Sequence, residues 1–253
     1  AEVGHIPFLQ AITLAGVAQK ITSFETKGDA LTAYLAGALA VMVGIYIAGG
    51  VSGAHMNPAF SLAMCLIEQF PWWKFPIFVA VQTFSSFISA GTVYILYYGM
   101  GGQCWQGEPH SSARVAVLTD RLCLCPTDAI HNYCNGTLTV SGPRETASIF
   151  ATYPADYVSI ANGFLDQAGA TVIGTGVLIV GVMGIMDPRN KGVPKGLEPV
   201  VVAMLVLSIE VSMGSNCGCP LNPARDIGPR LFTYVAGWGP EVFRLVEGRG
   251  EVG

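Results

Sequence analysis

Long apolar runs, interrupted at two places by the tripeptide Asn-Pro-Ala, set the pattern of this chain. Residues 31–51, 75–98 and 163–186 are apolar stretches with few charges, and residues 199–214 form a shorter one. A helix needs about 20 apolar residues to cross the hydrocarbon core of a bilayer, so these segments predict membrane spans. Residues 4–18 are apolar but short and contain His5 and Pro7, and read alone they make a poor span. Asn57 stands directly before Pro58-Ala59, and Asn222 directly before Pro223-Ala224. Asn is a good capping residue and Pro is best tolerated at the first helical position, so each tripeptide reads as a helix start. Residues 52–57 and 215–222 are accordingly expected to be extended, with short half-helices over 58–68 and 223–235.

The two interrupted segments lie 165 residues apart and divide the chain into similar parts. Residues 1–99 read as a first repeat of two to three spans plus a half-helix, and residues 163–243 as a second of two spans plus a half-helix. Matching broken helices of this kind point to an inverted repeat with its site at the interface. The remainder, Arg244 to Gly253, is too polar and short to span, so the sequence reads as lacking a final transmembrane helix. Non-helical backbone at membrane depth needs protein cover, and part of that cover is then expected to be missing.

Composition agrees with the hydropathy pattern. The chain is 51% hydrophobic and 12% charged, with a mean hydropathy of +0.50, where soluble domains are about 25% charged. The net charge of −4 provides no basic stripe for nucleic acid. No basic start precedes the first apolar residues, so no cleavable signal peptide is read. The loop 187–198 carries Arg189, Lys191 and Lys195, and Lys74 falls on the same side if the spans alternate; this side is expected to be cytoplasmic, although Lys20 and Lys27 argue mildly against it. Residues 100–162 are then extracellular, where Asn135-Gly136-Thr137 is an acceptor for N-glycan at Asn135. Four of the seven cysteines, Cys104, Cys123, Cys125 and Cys134, lie in this stretch. Cys123, Cys125 and Cys134 with His131 resemble a zinc cluster only loosely, because the spacing matches no standard site; a disulfide or unpaired inserted sequence is the favoured reading, and no metal or other cofactor is expected.

Two helix starts buried in a membrane have an electrostatic consequence. Each N-terminus carries the equivalent of roughly +0.5 charge, poorly screened in low dielectric. If both point to the midplane from opposite sides, their junction repels cations and protons, while the Asn amides offer donors to a neutral hydroxyl.

The strings Gly53-Ala54-His55-Met56-Asn57-Pro58-Ala59 and Asn222-Pro223-Ala224-Arg225-Asp226 resemble the paired signatures of the aquaporin family. Asp226 after Asn-Pro-Ala-Arg resembles the glycerol-conducting branch, the aquaglyceroporins. So do TASIFATYP from Thr146 to Pro154, NGFLDQ from Asn162 to Gln167 and AGWGPEVF from Ala236 to Phe243. The likeness covers roughly nine tenths of the chain outside a segment at about 103–129, which has no counterpart in the family pattern. It implies an all-α membrane protein, an inverted-repeat bundle with two half-helices. It also implies a passive channel for water, glycerol and similar small neutral solutes, with urea a further permeant, assembled as a homotetramer in contact with lipid, in the plasma membrane. Residues 4–18 become the remainder of a first helix, with Glu2 where the family keeps a buried carboxylate; an ordinary exposed terminus is the alternative.

Transferred residue by residue, the family's selectivity filter falls on Gly37, Glu210, Cys219 and Arg225. Arg225 is the expected constant member, a donor to solute hydroxyls that repels cations. Gly37 and Cys219 are small and favour an aperture wide enough for glycerol. Glu210 departs from the pattern, which has Gly at this position. A carboxylate there either gates the pore through Arg225 or closes it. His55 is expected to hold its loop, Asp226 to orient a neighbouring loop, and Arg230 to anchor the second half-helix. Two other readings stay open: a non-conducting truncated or variant relative, and an ion-coupled secondary transporter, for which Glu2, Asp166 and Glu210 are the carboxylates. An enzyme is not expected, because no nucleophile, base and orienting group stand together.

Overall fold

The computed structural model describes residues 2–98, 129–155 and 157–244, with backbone only for residues 2–8 and 160. The expected insertion at about 103–129 (save Ala129), Cys104, Cys123, Cys125, the tail beyond Arg244 and the Glu2 carboxylate lie outside the described residues. The helices are α1 (Glu2–Thr22), α2 (Ala30–Ser52), α3 (Pro58–Leu66), α4 (Phe75–Tyr98), α5 (Ala129–Cys134), α6 (Ile160–Met186), α7 (Glu198–Met213) and α8 (Pro223–Thr233). No strand occurs among the described residues.

α2 shows why these helices belong in lipid. Its small residues Ala33, Gly37, Ala40, Gly44 and Ala48 are buried, whereas Leu31, Leu35, Leu39, Val43 and Ile47 are exposed along the opposite face. A water-soluble helix has its large apolar side chains inside; here small residues let backbones approach and the large ones face outward. The notch at Gly44 is filled by the side chains of Met56 and Leu9, leaving no room for a Cβ. Asp29 starts the helix with a capping box, its carboxylate accepting from the Thr32 N–H at 2.9 Å, and Gly53 ends it at φ +82°. Among the described residues, Ala30–Ser52, Trp72–Tyr98 and Ala161–Met186 are long and apolar enough to cross a membrane.

α1 is a fuller helix than its sequence suggests, 21 residues where 4–18 alone reads as a poor span. Tertiary packing supplies what hydropathy lacks: Leu9, Leu14 and Ala18 are buried where α1 packs on α2 and α4. Pro7 lies in the first two turns, so it costs a hydrogen bond near an end of the helix rather than in its middle. α2 in turn packs on α7, α6 on α7, and α8 along α4, while α3 touches both α4 and α6.

Both half-helices are shorter than expected. α3 stops at Leu66 rather than 68, and α8 gives way after Thr233 to a wider π turn, Tyr234–Trp238, which closes at Gly237 (φ +116°). That turn delivers Trp238 into a core with Phe150, Val93 and Val242, where its indole N–H donates to the Thr146 hydroxyl at 3.1 Å. Residues 146–151 thus include fully buried side chains, Thr146, Ala147, Ile149 and Phe150, inside the expected extracellular loop. The loop is anchored by this plug.

α8 meets α4 closely enough to make a prediction. A Cβ on Gly228 would lie 2.5 Å from the Thr83 carbonyl oxygen and 2.9 Å from the Phe87 nitrogen, both backbone atoms of α4. Gly228→Ala is expected to destabilise the bundle by about 1–3 kcal/mol. Gly176→Ala, whose Cβ meets nothing within 4 Å, should be neutral or slightly stabilising. Thermal unfolding of the detergent-solubilised protein and both variants measures the difference.

Candidate functional site

The two half-helices start against each other. The Asn57 carboxamide oxygen accepts from the Ala59 and Phe60 N–H groups at 2.8 and 3.4 Å, and that of Asn222 from Ala224 and Arg225 at 3.1 and 3.2 Å. Each caps its own helix. The Asn57 Nδ2 donates to the Leu221 carbonyl at 2.9 Å, and the Asn222 Nδ2 donates to the Met56 carbonyl at 2.8 Å. Each amide therefore reaches across to the residue preceding its counterpart. A carboxamide has two N–H groups, so this reciprocal pair leaves one on each Asn for a solute.

The stretches before the caps are not simply extended, as the sequence reading had them. Gly53, Ala54 and Met56 have φ of +82°, +48° and +51°, and Gly218 and Cys219 have φ of +70° and +53°. Non-glycine residues in this region are strained, and such strain is found where surrounding structure holds it in place. Here the hold is visible: the carbonyls of Met56 and Leu221 are those that the opposite Asn residues bind.

Arg225 follows the second cap and donates through Nη1 to the Phe150 carbonyl at 3.2 Å. Its neighbour Asp226 turns away to a different set of partners. Asp226 accepts from the Thr152 N–H and hydroxyl at 2.7 Å each and pairs with Arg230 at 2.5 Å. The Arg230 guanidinium lies over the Tyr153 ring, 4.4 Å from its centroid, and also donates to the carbonyls of Val242 and Thr152. Asp226 thus ties the buried plug to α8, and the plug presents the carbonyl that holds Arg225.

Gly37 of α2 and Glu210 of α7 meet at the same level. Both carboxylate oxygens of Glu210 lie 3.5 Å from the place a Cβ on Gly37 would take, so the acid borders the space that the glycine leaves open. Tyr34, one turn before Gly37, donates its hydroxyl to the Gly214 carbonyl at 3.2 Å, and the Cys219 thiol points to the Ile209 carbonyl at 3.8 Å. Oε2 of Glu210 has no hydrogen-bond partner among the described residues.

One cavity of about 1880 Å³ joins these groups. Gly37, Glu210, Cys219, Arg225, Asn57 and Asn222 all line it. Its lining continues to Ser148, Tyr153 and Asn216 at one end of the bundle, and to Lys74, Asp187 and Arg189 at the other. At the latter mouth Asp187 accepts three hydrogen bonds from the Arg189 side chain, which hold its carboxyl below the usual carboxylate range. His55 also reaches the cavity, but its Nδ1 is 3.0 Å from the Ser61 hydroxyl and its ring is set among Phe60, Phe70 and Phe78.

Residues 5–241 match the family described as Major intrinsic protein. The chain belongs to that family. It is 55% identical to human Aquaporin-10 over 98% of its own length and 71% of the relative's. Identity to human Aquaporin-9 is 43%, covering 90% of this chain and 66% of that one, and to mouse Aquaporin-7 it is 37%, covering 87% and 62%. The chain therefore spans roughly two thirds of the length of these relatives. In fold it is similar to the crystal structure of the aquaglyceroporin from Plasmodium falciparum, with a TM-score of 0.70, 22% identity, and 98% and 84% of the two chains covered. Membership of the major intrinsic protein family, together with the lipid-facing helices, makes this an integral multi-pass membrane protein.

Sequence reading missed Tyr34, Thr152 and Phe150 as parts of this site. Tyr34 is one turn from Gly37 and was discoverable from helical spacing; the Phe150 carbonyl was not, since nothing local shows which backbone oxygen an arginine will reach. Asn135 is exposed at φ +51° and accepts from Arg144 at 2.9 Å. Cys134 is buried and forms no disulfide among the described residues, and Asp166 accepts from the Asn216 amide at 3.2 Å.

The reciprocal caps carry a measurable coupling. Asn57→Ala or Asn222→Ala removes a cap worth about 1 kcal/mol and leaves a buried carbonyl unpaired at a cost of about 1–3 kcal/mol. The double variant is expected to lose less than the sum of the single losses, because both bonds hold one junction. A double-mutant cycle on detergent unfolding checks this.

Proposed function

We propose that the chain is a passive channel for water, glycerol and similar small neutral solutes, with urea a further permeant, acting in the plasma membrane as a homotetramer. The observation that carries this reading is the cavity that runs past both Asn caps and is lined by residues from both ends of the bundle. Similarity to Aquaporin-10, Aquaporin-9 and an aquaglyceroporin supports it. Two converging helix starts make the middle of that passage positive, which disfavours cations, while amide N–H groups and backbone carbonyls serve a hydroxyl as donor and acceptor. Gly37, Glu210, Cys219 and Arg225 form the filter of this channel, and Asp226 positions its outer wall through Thr152. N-glycan at Asn135 is part of the same proposal, with the long connecting segment outside the cell.

A second reading is a non-conducting relative. It is favoured by one specific observation, the Glu210 carboxylate standing beside Gly37 where the wall would otherwise be open. An ion-coupled transporter has less support, since the Asp166 carboxylate accepts a hydrogen bond from the Asn216 amide.

Glycerol and water flux into proteoliposomes of the chain and of Glu210→Gly, at equal inserted protein, tests the reading. Glycerol flux above protein-free vesicles is expected in both, several-fold higher in the variant. Flux in the variant alone would establish a closed filter in the native chain. Absence of flux in both would contradict the channel reading.

A further inference from the structure

Glu210 is half-buried on the wall of the cavity beside Gly37, and its Oε2 is shielded from solvent and unserved. Three side chains there have hydrogen to give. Arg225 donates to the Phe150 carbonyl, Tyr34 to the Gly214 carbonyl, and Cys219 points to the Ile209 carbonyl. None of the ion pairs found among the described residues joins Arg225 to Glu210. None of these bonds goes to Glu210, and its Oε2 has no hydrogen-bond partner among the described residues although it is shielded from solvent. An unpaired carboxylate in such a place is costly, and a charge-assisted donor relieves that cost more fully than a neutral one.

The charges around it permit a cation. Asp226 and Arg230 neutralise one another at 2.5 Å, leaving Arg225 and Glu210 as opposite charges acting on each other at this level. The positive field of a filter with arginine alone is thereby offset. The space beside Gly37, which has no side chain, gives a flat group access to the carboxylate. Beyond this level stand the two helix starts at Asn57 and Asn222, whose positive ends oppose further passage of a cation. A cation with N–H donors is attracted to Glu210 and stopped behind it.

We propose that Glu210, with Gly37 providing the room, makes this level of the cavity a binding site for small planar cations carrying N–H donors, the guanidinium class, which occupy the pathway and obstruct neutral solutes. The obstruction rests on the channel reading above; the binding does not. A guanidinium offers two parallel N–H groups to a carboxylate, a match that a spherical or alkylated cation lacks.

The test has two arms, both at pH 8 and at concentrations of guanidinium chloride that leave the melting temperature unchanged. Sodium and tetramethylammonium chloride at equal ionic strength serve as controls, the latter a cation without N–H. In the first arm, guanidinium is expected to reduce glycerol flux several-fold in the native chain and to have little effect in Glu210→Gln. In the second, Cys219 lines the same cavity, and its alkylation by a neutral maleimide, followed by mass spectrometry of its peptide, reports occupancy without any flux. Guanidinium is expected to slow that alkylation in the native chain and not in Glu210→Gln, with sodium and tetramethylammonium inert in both. Protection of Cys219 in a chain that shows no glycerol flux would uphold the site while removing the channel reading. Equal protection in the native chain and Glu210→Gln, protection by all three cations alike, or no protection in the native chain would each overturn the proposal.

Discussion

The reciprocal hydrogen bonds of Asn57 and Asn222 are the constraint on which the rest of the molecule depends. Each side chain caps its own half-helix with its oxygen and binds the opposite connecting stretch with its nitrogen. A short helix that begins in the interior of an apolar bundle has unpaired N–H groups at its start, and no water at that depth to serve them. Capping serves two of those groups in each case. The cross-bonds then hold Met56 and Cys219-Pro220-Leu221 in backbone conformations that would otherwise relax. The site is a junction of two helix ends, and its geometry follows from satisfying backbone groups.

Around that junction the protein separates its charges into two kinds. Asp226 and Arg230 form a closed structural group, completed by Thr152, Tyr153 and Val242, that fixes the buried plug to α8. Arg225 and Glu210 face the cavity and are left with less. Arg225 is steadied by one backbone carbonyl from the plug, so the structural group acts on it at one remove. Glu210 has nothing comparable. The cavity wall therefore combines an anchored cation with a poorly served anion.

The parts of this architecture that were legible in the sequence are those that rest on local chemistry. Asn before Pro predicts the starts of α3 and α8, and long apolar runs predict α2, α4 and α6, because capping and lipid burial depend on residues close together in the chain. α1 was less legible, since its helix relies on Leu9, Leu14 and Ala18 meeting α2 and α4. The buried stretch Thr146–Phe150 was hidden for a similar reason: its place in the core comes from Trp238, 92 residues away. The left-handed residues Ala54, Met56 and Cys219 carry no compositional mark at all. Gly37, Glu210, Cys219 and Arg225 could be listed together only through a family likeness, and the structure places all four on one cavity; that their level is the selective one remains the proposal made above.

The central claim is that two helix starts meeting at Asn57 and Asn222 make a passage that admits a neutral polyol and refuses the proton. Glycerol uptake and proton leak measured in the same preparation of proteoliposomes, across a range of protein content, address it directly. Glycerol uptake rising with protein content while proton leak stays at the level of protein-free vesicles is the predicted result. Proton leak rising in step with protein content, or glycerol uptake independent of it, would contradict the account.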